Sequence, residues 1–531
     1  MGPASPPAFN FKERCEGLQD HTGLQDHTGN SGPSTILGGT NLCVKGRHTS
    51  SLSSSFVSAY DNTPSSVMMM NGSNTMMAGT HQQHSPAREA GNGGATSVSG
   101  AHTRARTSSA LNLVFLGILC FAVAILMRTF PALTYAQRSL VQVYFQPFVP
   151  LALMLALWAA AVAAWDGADV PWRACFDLST RRAHMSATDA WTLAVGLAAA
   201  VAASAAAFSH ATLVKTAHAH ALKAGTPERF APPLLSPTAI VVALYLGVLA
   251  FVVWPQNVFN AAARKHFATT VARVFVAPMW CPRVNFSDFL FADVLTSLAK
   301  SLADVERAVC HLVVTDSSDP LSKGMPVCGN ASWSVPFALA LPSLIRFAQC
   351  LRAHRDAAHA RGVTTMYMSL DLWNALKYLT ALPVICLSYL NHHVDAEEWV
   401  STWRPLWLLA AVVNTTYSVY WDVTRDWELG AIHRVIDSRR QLLRHDLLYS
   451  REFYYYLIAS NTAMRFAWSY KLSSHLRSRV AANLVAACVE AVRRFQWIFV
   501  RVEVEIRKIA NGERKLVHER VELAEAVNAA V

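Results

Sequence analysis

The sequence predicts an all-α polytopic membrane protein of about ten transmembrane helices behind a disordered N-terminal tail. Three observations predict it. Hydrophobic residues make up 52% of the 531 residues and charged residues only 15%, against roughly 25% charged in soluble domains. The apolar residues gather in runs long enough for the ~20-residue spans that a bilayer requires. The polar material is concentrated at one end, in residues 1–108. This composition excludes a mainly disordered chain, a secreted disulfide scaffold and an ordinary cytosolic enzyme. The net charge of +11 reads as the positive-inside bias of a membrane protein, and nucleic acid is not an expected partner.

Residues 1–108 are rich in Gly, Ser, Thr, Asn and His, and their aromatics are Phe9, Phe11, Phe56 and Tyr60. Such a segment buries too little apolar surface to offset its chain entropy. Gly17–Thr22 is copied at once as Gly23–Thr28, as tolerated drift in a disordered tail would be. No basic start precedes an apolar core, so no cleavable signal peptide is expected, and the first apolar run should act as an uncleaved anchor.

The spans follow in order. Residues 110–127, 143–165, 189–208 and 236–254 are clean Ala-, Leu- and Val-rich runs, and 109–254 is read as a four-helix N-terminal region. Runs 288–313, 334–351, 371–390, 403–421, 453–470 and 480–500 carry ionisable residues and form a second region, 255–510. Residues 511–531 are read as a charged cytosolic segment.

Loop cations set the orientation. With both termini cytosolic, that side collects Arg104, Arg106, Arg173, Arg181, Arg182, Arg264, Lys265, Arg273, Arg352, Arg355, Arg361 and the stretch from Arg425 to Arg444. The opposite side holds the acidic His392–Glu398 loop, the Cys310–Cys328 loop and a glycosylation sequon at Asn330. Lys215, Lys223, Arg229, Lys471, Arg477 and Arg479 also fall there, so the bias is not complete. Among ten cysteines no CxxC pair or zinc-like spacing occurs, and no metal site is expected. Cys310 and Cys328 flank one short loop facing an oxidising side; a disulfide and two free thiols both remain open.

Ionisable residues in hydrocarbon are costly and normally face an interior pathway. Asp293 is followed at i+3 and i+4 by Thr296 and Ser297, on one helix face. Lys377 and Tyr378 sit mid-span, Asp422 and Asp426 close the eighth span, and Arg465 lies in the ninth with Trp468 at i+3. Glu490, Arg493, Arg494 and Trp497 share one face of the tenth. Converging guanidinium forks suit a tetrahedral oxyanion. Carboxylates keep such cations from being buried unpaired and keep the site weak enough to release its ion. The plain alternative for each charge is a salt bridge that fixes helix packing. Arg493 can also snorkel to the headgroups, and Trp468 and Trp497 can be interfacial anchors or gates.

The same segments resemble the EXS family, the membrane domain of eukaryotic phosphate exporters of the retrovirus-receptor type. The resemblance runs from about 255 to 510. It is carried by VARVFVAP (271–278), DFLFADVLTSL (288–298), LPSLIRFAQCLRAHRD (341–356), NALKY (374–378), YWDVTRDWELG (420–430), MRFAW (464–468) and RRFQWIFVRVEVE (493–505). It implies movement of inorganic phosphate through the last six helices. The residues implied to line that pathway are Asp293, Lys377, Tyr378, Asp422, Asp426, Arg465, Trp468, Glu490, Arg493 and Arg494; the gate reading of Trp468 and Trp497 rests on their spacing from Arg465 and Arg494. Two departures stand out: Val294 replaces a common Gln, and Glu428 stands where Gly is common. The tail holds only Lys12 and Lys45, unlike the lysine-rich SPX domain of the large exporters, so SPX regulation is not expected. The short members are associated with the Golgi.

No P-loop, GxSxG or HExxH occurs, and neither an enzyme nor a cofactor is expected. The expected activity is phosphate export across the plasma membrane or the Golgi membrane. The alternative is a Golgi scaffold that retains lumenal proteins or glycosyltransferases. A cation- or proton-coupled carrier using Asp293, Asp422 and Asp426 is a third reading. Expected partners are inorganic phosphate, the lipid bilayer and, in the assembly, a second copy of the chain.

Overall fold

The computed structural model describes residues 94–176, 185–225, 233–256, 260–276, 284–314, 328–329, 332–360, 369–430, 443, 447–472 and 480–512. The tail before Gly94, the Asn330 sequon, the loop cations Arg181, Arg182, Arg229, Arg361, Arg477 and Arg479, most of the stretch from 431 to 446, and the segment from 513 onward lie outside the described residues. From Ser99 onward the described residues belong to one compact unit.

The described elements are helical. The first is α1, Gly94–Thr129, which starts inside the segment read as polar tail. Its apolar side chains, among them Leu113, Phe121 and Met127, are exposed, as suits a helix surrounded by lipid. Next come α2, Tyr135–Phe145, and α3, Phe148–Gly167, parted at Pro147. Thr134 and Gln137 form a capping box at the start of α2, satisfying two orphan N–H groups at once. Ser186 caps α4, Ala187–Lys223, which at 1.5 Å per residue is about 55 Å long and extends past a ~30 Å hydrocarbon core. Ser236 caps α5, Pro237–Val253, with Pro at the first helical position, where its missing N–H costs nothing.

Helix α6, Ala261–Val276, occupies what the sequence presents as a cationic loop. Its Arg264 is buried and donates to the carbonyls of Phe251, Trp254 and Gln256 at the end of α5. A guanidinium there satisfies carbonyls the helix cannot satisfy itself and complements the negative end of its dipole.

The expected span 288–313 is two helices, α7 (Phe286–Ser297) and α8 (Ala299–Val314), broken at Leu298. Helix α9, Ser334–Ala360, is continuous through Pro342. Span 371–390 is likewise two pieces, α10 (Leu370–Leu379) and α11 (Ala381–Leu390). Pro383 explains this break, because it has no N–H for the carbonyl four residues back and its ring crowds that turn. Helix α12, Arg404–Trp421, is bounded by π-helical turns at Trp399–Trp403 and Asp422–Asp426. Ser450 caps α13, Arg451–Arg465, and α14, Val480–Ala510, closes the described fold.

By length and composition, five described stretches can cross a membrane: Ser109–Ala132, Tyr135–Gly167, Ala187–Lys223, Ser334–His359 and Leu370–Leu390; Pro237–Val253 is shorter but apolar. The other expected spans, 288–313, 403–421, 453–470 and 480–500, are broken or too polar to meet that measure.

The two largest apolar clusters among the described residues hold the helices together. One joins α2, α3, α4, α5 and Ala308 of α8. The other joins Trp165 of α3, Trp172 and Cys175 to Phe286 and Leu290 of α7, Trp427 beyond α12, Tyr454 and Leu457 of α13, and Trp497, Ile498, Val500 and Val502 of α14. The N-terminal helices thus pack directly on the charged ones. Cys310 and Cys328 form a disulfide between the end of α8 and the approach to α9. This settles the pairing that spacing left open.

Candidate functional site

The site begins at Asp293, one turn before the α7–α8 break. Its carboxylate accepts hydrogen bonds from three helices. Arg346 Nε of α9 donates at 2.9 Å, Tyr378 Oη of α10 at 2.6 Å, and Arg494 Nη1 of α14 at 2.7 Å. Arg494 is held further by Ser297 Oγ at 2.9 Å and Thr296 Oγ1 at 3.1 Å. The i+3 and i+4 hydroxyls read from the sequence therefore serve the guanidinium that faces their own carboxylate.

A second centre forms where α12 ends. Asp422 accepts from Arg465 Nε at 3.0 Å and Nη2 at 2.8 Å, and from Asn461 Nδ2 at 3.1 Å. Arg493 Nη1 lies 3.6 Å from the same carboxylate and donates to Asn461 Oδ1 at 3.0 Å. Arg493 also grips Glu490, which accepts from Ser297 Oγ at 2.8 Å. Ser297 thus bridges the two centres. Lys377 and Asp426 make the remaining pair, at 3.5 Å.

Among the described residues, five cations here face four carboxylates, an excess of one positive charge. Asp293, Asp422 and Arg493 are each 1% exposed, Arg346 2% and Arg494 3%. Ions so deep survive only when paired and hydrogen-bonded on their remaining atoms. The arrangement can admit a tetrahedral anion by letting its oxygens take over fork donors that the carboxylates now occupy.

On one side of this network lies a cavity of about 600 Å³. Its walls include Arg346, Asp426, Asp371, Arg425, Arg501 and Lys508. One turn beyond Arg465, Trp468 Nε1 donates to Thr415 Oγ1 at 2.9 Å, and its ring meets Trp407 edge-on at 5.6 Å. Trp497 occupies a different setting. It is wholly buried in the apolar cluster, tilted against Phe289, with the Arg494 guanidinium 4.5 Å from its ring centroid. It walls the network, whereas Trp468 stands at its end.

Among the sequence-derived site residues, Asp293, Tyr378, Asp422, Arg465, Glu490, Arg493 and Arg494 are linked by these bonds, and Lys377 with Asp426 lies beside them. Sequence reasoning missed Arg346, Gln349 and Asn461. Arg346 carries the same signal as Arg465, a lone guanidinium inside an apolar run (SVPFALALPSLIRF). Gln349 accepts from Arg346 Nη1 at 2.5 Å, and neither amide has a distinguishing neighbour in sequence.

Residues 140–507, more than half of the chain, match the EXS family. The match starts in α2, so it takes in most of the N-terminal helices that the motifs did not reach. Similar proteins include Solute carrier family 53 member 1 of Homo sapiens, 29% identical over 294 residues, 52% of this chain and 40% of that protein. The Xenotropic and polytropic retrovirus receptor 1 homolog of Xenopus laevis is 31% identical over 279 residues, 49% and 38% of the respective chains. SPX and EXS domain-containing protein 1 of Dictyostelium discoideum is 30% identical over 274 residues, 50% and 27%. The chain spans less than half the length of each of these curated relatives.

Proposed function

Because the chain belongs to the EXS family, we propose that it carries inorganic phosphate across a cellular membrane through the Arg-, Lys- and Asp-lined network of α7, α9, α10, the end of α12, α13 and α14. The observation that carries this reading is the pairing of Asp293 with two buried guanidinium forks from different helices. In this reading phosphate enters from the cavity and exchanges onto Lys377, Arg494 and Arg465 in turn. The carboxylates re-pair with the cations as the anion leaves, so no cation is left bare at any stage. Trp468, at the far end, is the gate. The other residues of the proposed lining, Tyr378, Asp422, Asp426, Glu490 and Arg493, hold the forks in register.

The membrane is the plasma membrane or the Golgi membrane, with both termini on the cytosolic side. The disulfide supports this orientation, since such bonds persist on oxidising sides. It lies at the start of α9, and Gln349, Cys350 and Ala353 of the cavity wall lie towards the other end of the same helix. The cavity then opens to the cytosol. In sealed, right-side-out vesicles or Golgi membranes opened to the reagent, an impermeant maleimide should label Cys310 and Cys328 only after reduction and only from the non-cytosolic face. A loop of this size contributes about 3 kcal/mol by closure entropy, so Cys310→Ser should also lower the thermal midpoint. Labelling from the cytosolic face would reverse the orientation.

Radiolabelled phosphate flux into liposomes holding the purified full chain tests the function. Saturable uptake above protein-free liposomes is the expected result. A monodisperse protein without flux at either polarity of membrane potential would favour the retention scaffold instead.

A further inference from the structure

Glu428 lies just past the π-turn that ends α12, in the left-handed backbone region with φ of 50°. That region favours glycine over any residue with a side chain. What holds glutamate there is visible. Its Oε1 pairs with Lys508 Nζ at 2.9 Å and its Oε2 with Arg507 Nη2 at 3.2 Å, both on the last turns of α14. Arg507 has a second partner, Glu503, at 3.8 Å. Burial pushes the Glu428 carboxyl up, but Lys508 and Arg507 outweigh it and hold it below the usual range, so it is ionised at neutral pH. Glu428 and Lys508 both line the cavity.

We infer that Glu428 is an electrostatic latch at the cavity mouth, which ties the end of α12 to α14 and masks Lys508 from an entering anion. The inference rests on the phosphate reading. Arg425 and Arg501 leave the cavity wall rich in cations, and Asp371 and Asp426 offset them. A fixed carboxylate on Lys508 lowers the positive potential met first on approach. It therefore reduces local anion concentration and raises the phosphate KM without touching the deep forks.

The test is initial-rate phosphate uptake by the full chain in liposomes. It compares wild type, Glu428→Gln, Glu428→Gly, Lys508→Gln and the double variant Glu428→Gln/Lys508→Gln. Each is measured at about 10 mM ionic strength, where screening reaches about 30 Å, and at about 1 M, where it reaches about 3 Å. Both Glu428 variants should lower KM by about two- to fivefold at low ionic strength, the range of a partly exposed ion pair. Lys508→Gln should raise KM, the double variant should return towards wild type, and all should converge at high salt. Glu428→Gln keeps the backbone strain and Glu428→Gly relieves it, so a change in the glycine variant alone would overturn the latch. Unchanged KM in both, with wild type transporting, would overturn it while leaving the phosphate reading intact. Absence of saturable flux in wild type would overturn both.

Discussion

Asp293→Asn should cost about 3–5 kcal/mol of stability and abolish phosphate flux. The carboxylate is the common acceptor for Arg346, Arg494 and Tyr378, so its neutralisation leaves two guanidinium groups buried against one amide. Removing one partner from a buried pair has a cost of about this size. The readout is the thermal midpoint in detergent beside flux in liposomes. Asp293→Glu restores the charge but not the reach, and should recover part of the stability. A variant with a wild-type midpoint and wild-type flux would show that the two guanidinium groups find other acceptors, and that Asp293 is not the hub.

Arg465→Ala should separate transport from folding. Asp422 loses its two-pronged partner but keeps Asn461 at 3.1 Å and Arg493 at 3.6 Å. Arg465 is also the more exposed member, its side chain 17% accessible. The fall in thermal midpoint should therefore be smaller than for Asp293→Asn. Flux should fall by more than about tenfold, since about 1.4 kcal/mol of lost interaction already gives that factor. Arg465→Lys should rescue poorly, because an ammonium cannot make the paired Nε and Nη2 contacts. Flux retained in the alanine variant would move the pathway away from this centre and favour a packing role for the pair.

Asp293, Arg465 and their companions are legible in the sequence because a charge in an apolar run is expensive, and the expense is visible in one dimension. Their pairings are not. Asp293 meets Arg494 across 201 positions and Arg346 across 53, and no local pattern encodes such a pairing. Arg346 carries the signal, but its neighbours suggest only a membrane span. The apolar runs locate most helices; the breaks at Leu298 and Thr380 do not show in hydropathy, which counts residues without regard to backbone continuity. Helix α6 is hidden for the opposite reason. Its cations read as loop, whereas Arg264 is turned inward onto the carbonyls at the end of α5. Glu428 is visible as a departure from a common glycine, but its φ and its partners on α14 are not.

The wide turn at Asp422–Asp426 has a consequence for how this site can vary. Trp427 N–H bonds to the Asp422 carbonyl, five positions back, so the turn holds one residue more than an ordinary α-turn. The two aspartates serve different partners, Arg465 and Lys377. Such a turn amounts to a single-codon insertion in a regular helix. The extra residue is absorbed within the turn, so Trp427 stands above Asp422 as the residue four positions on would in a regular helix. Losing one residue between the two aspartates would close the wide turn to an ordinary one and bring Asp426 a position nearer to Asp422, while Trp427 kept its facing towards the core. The wide turn thus sets the spacing of the acidic pair independently of the packing that follows it.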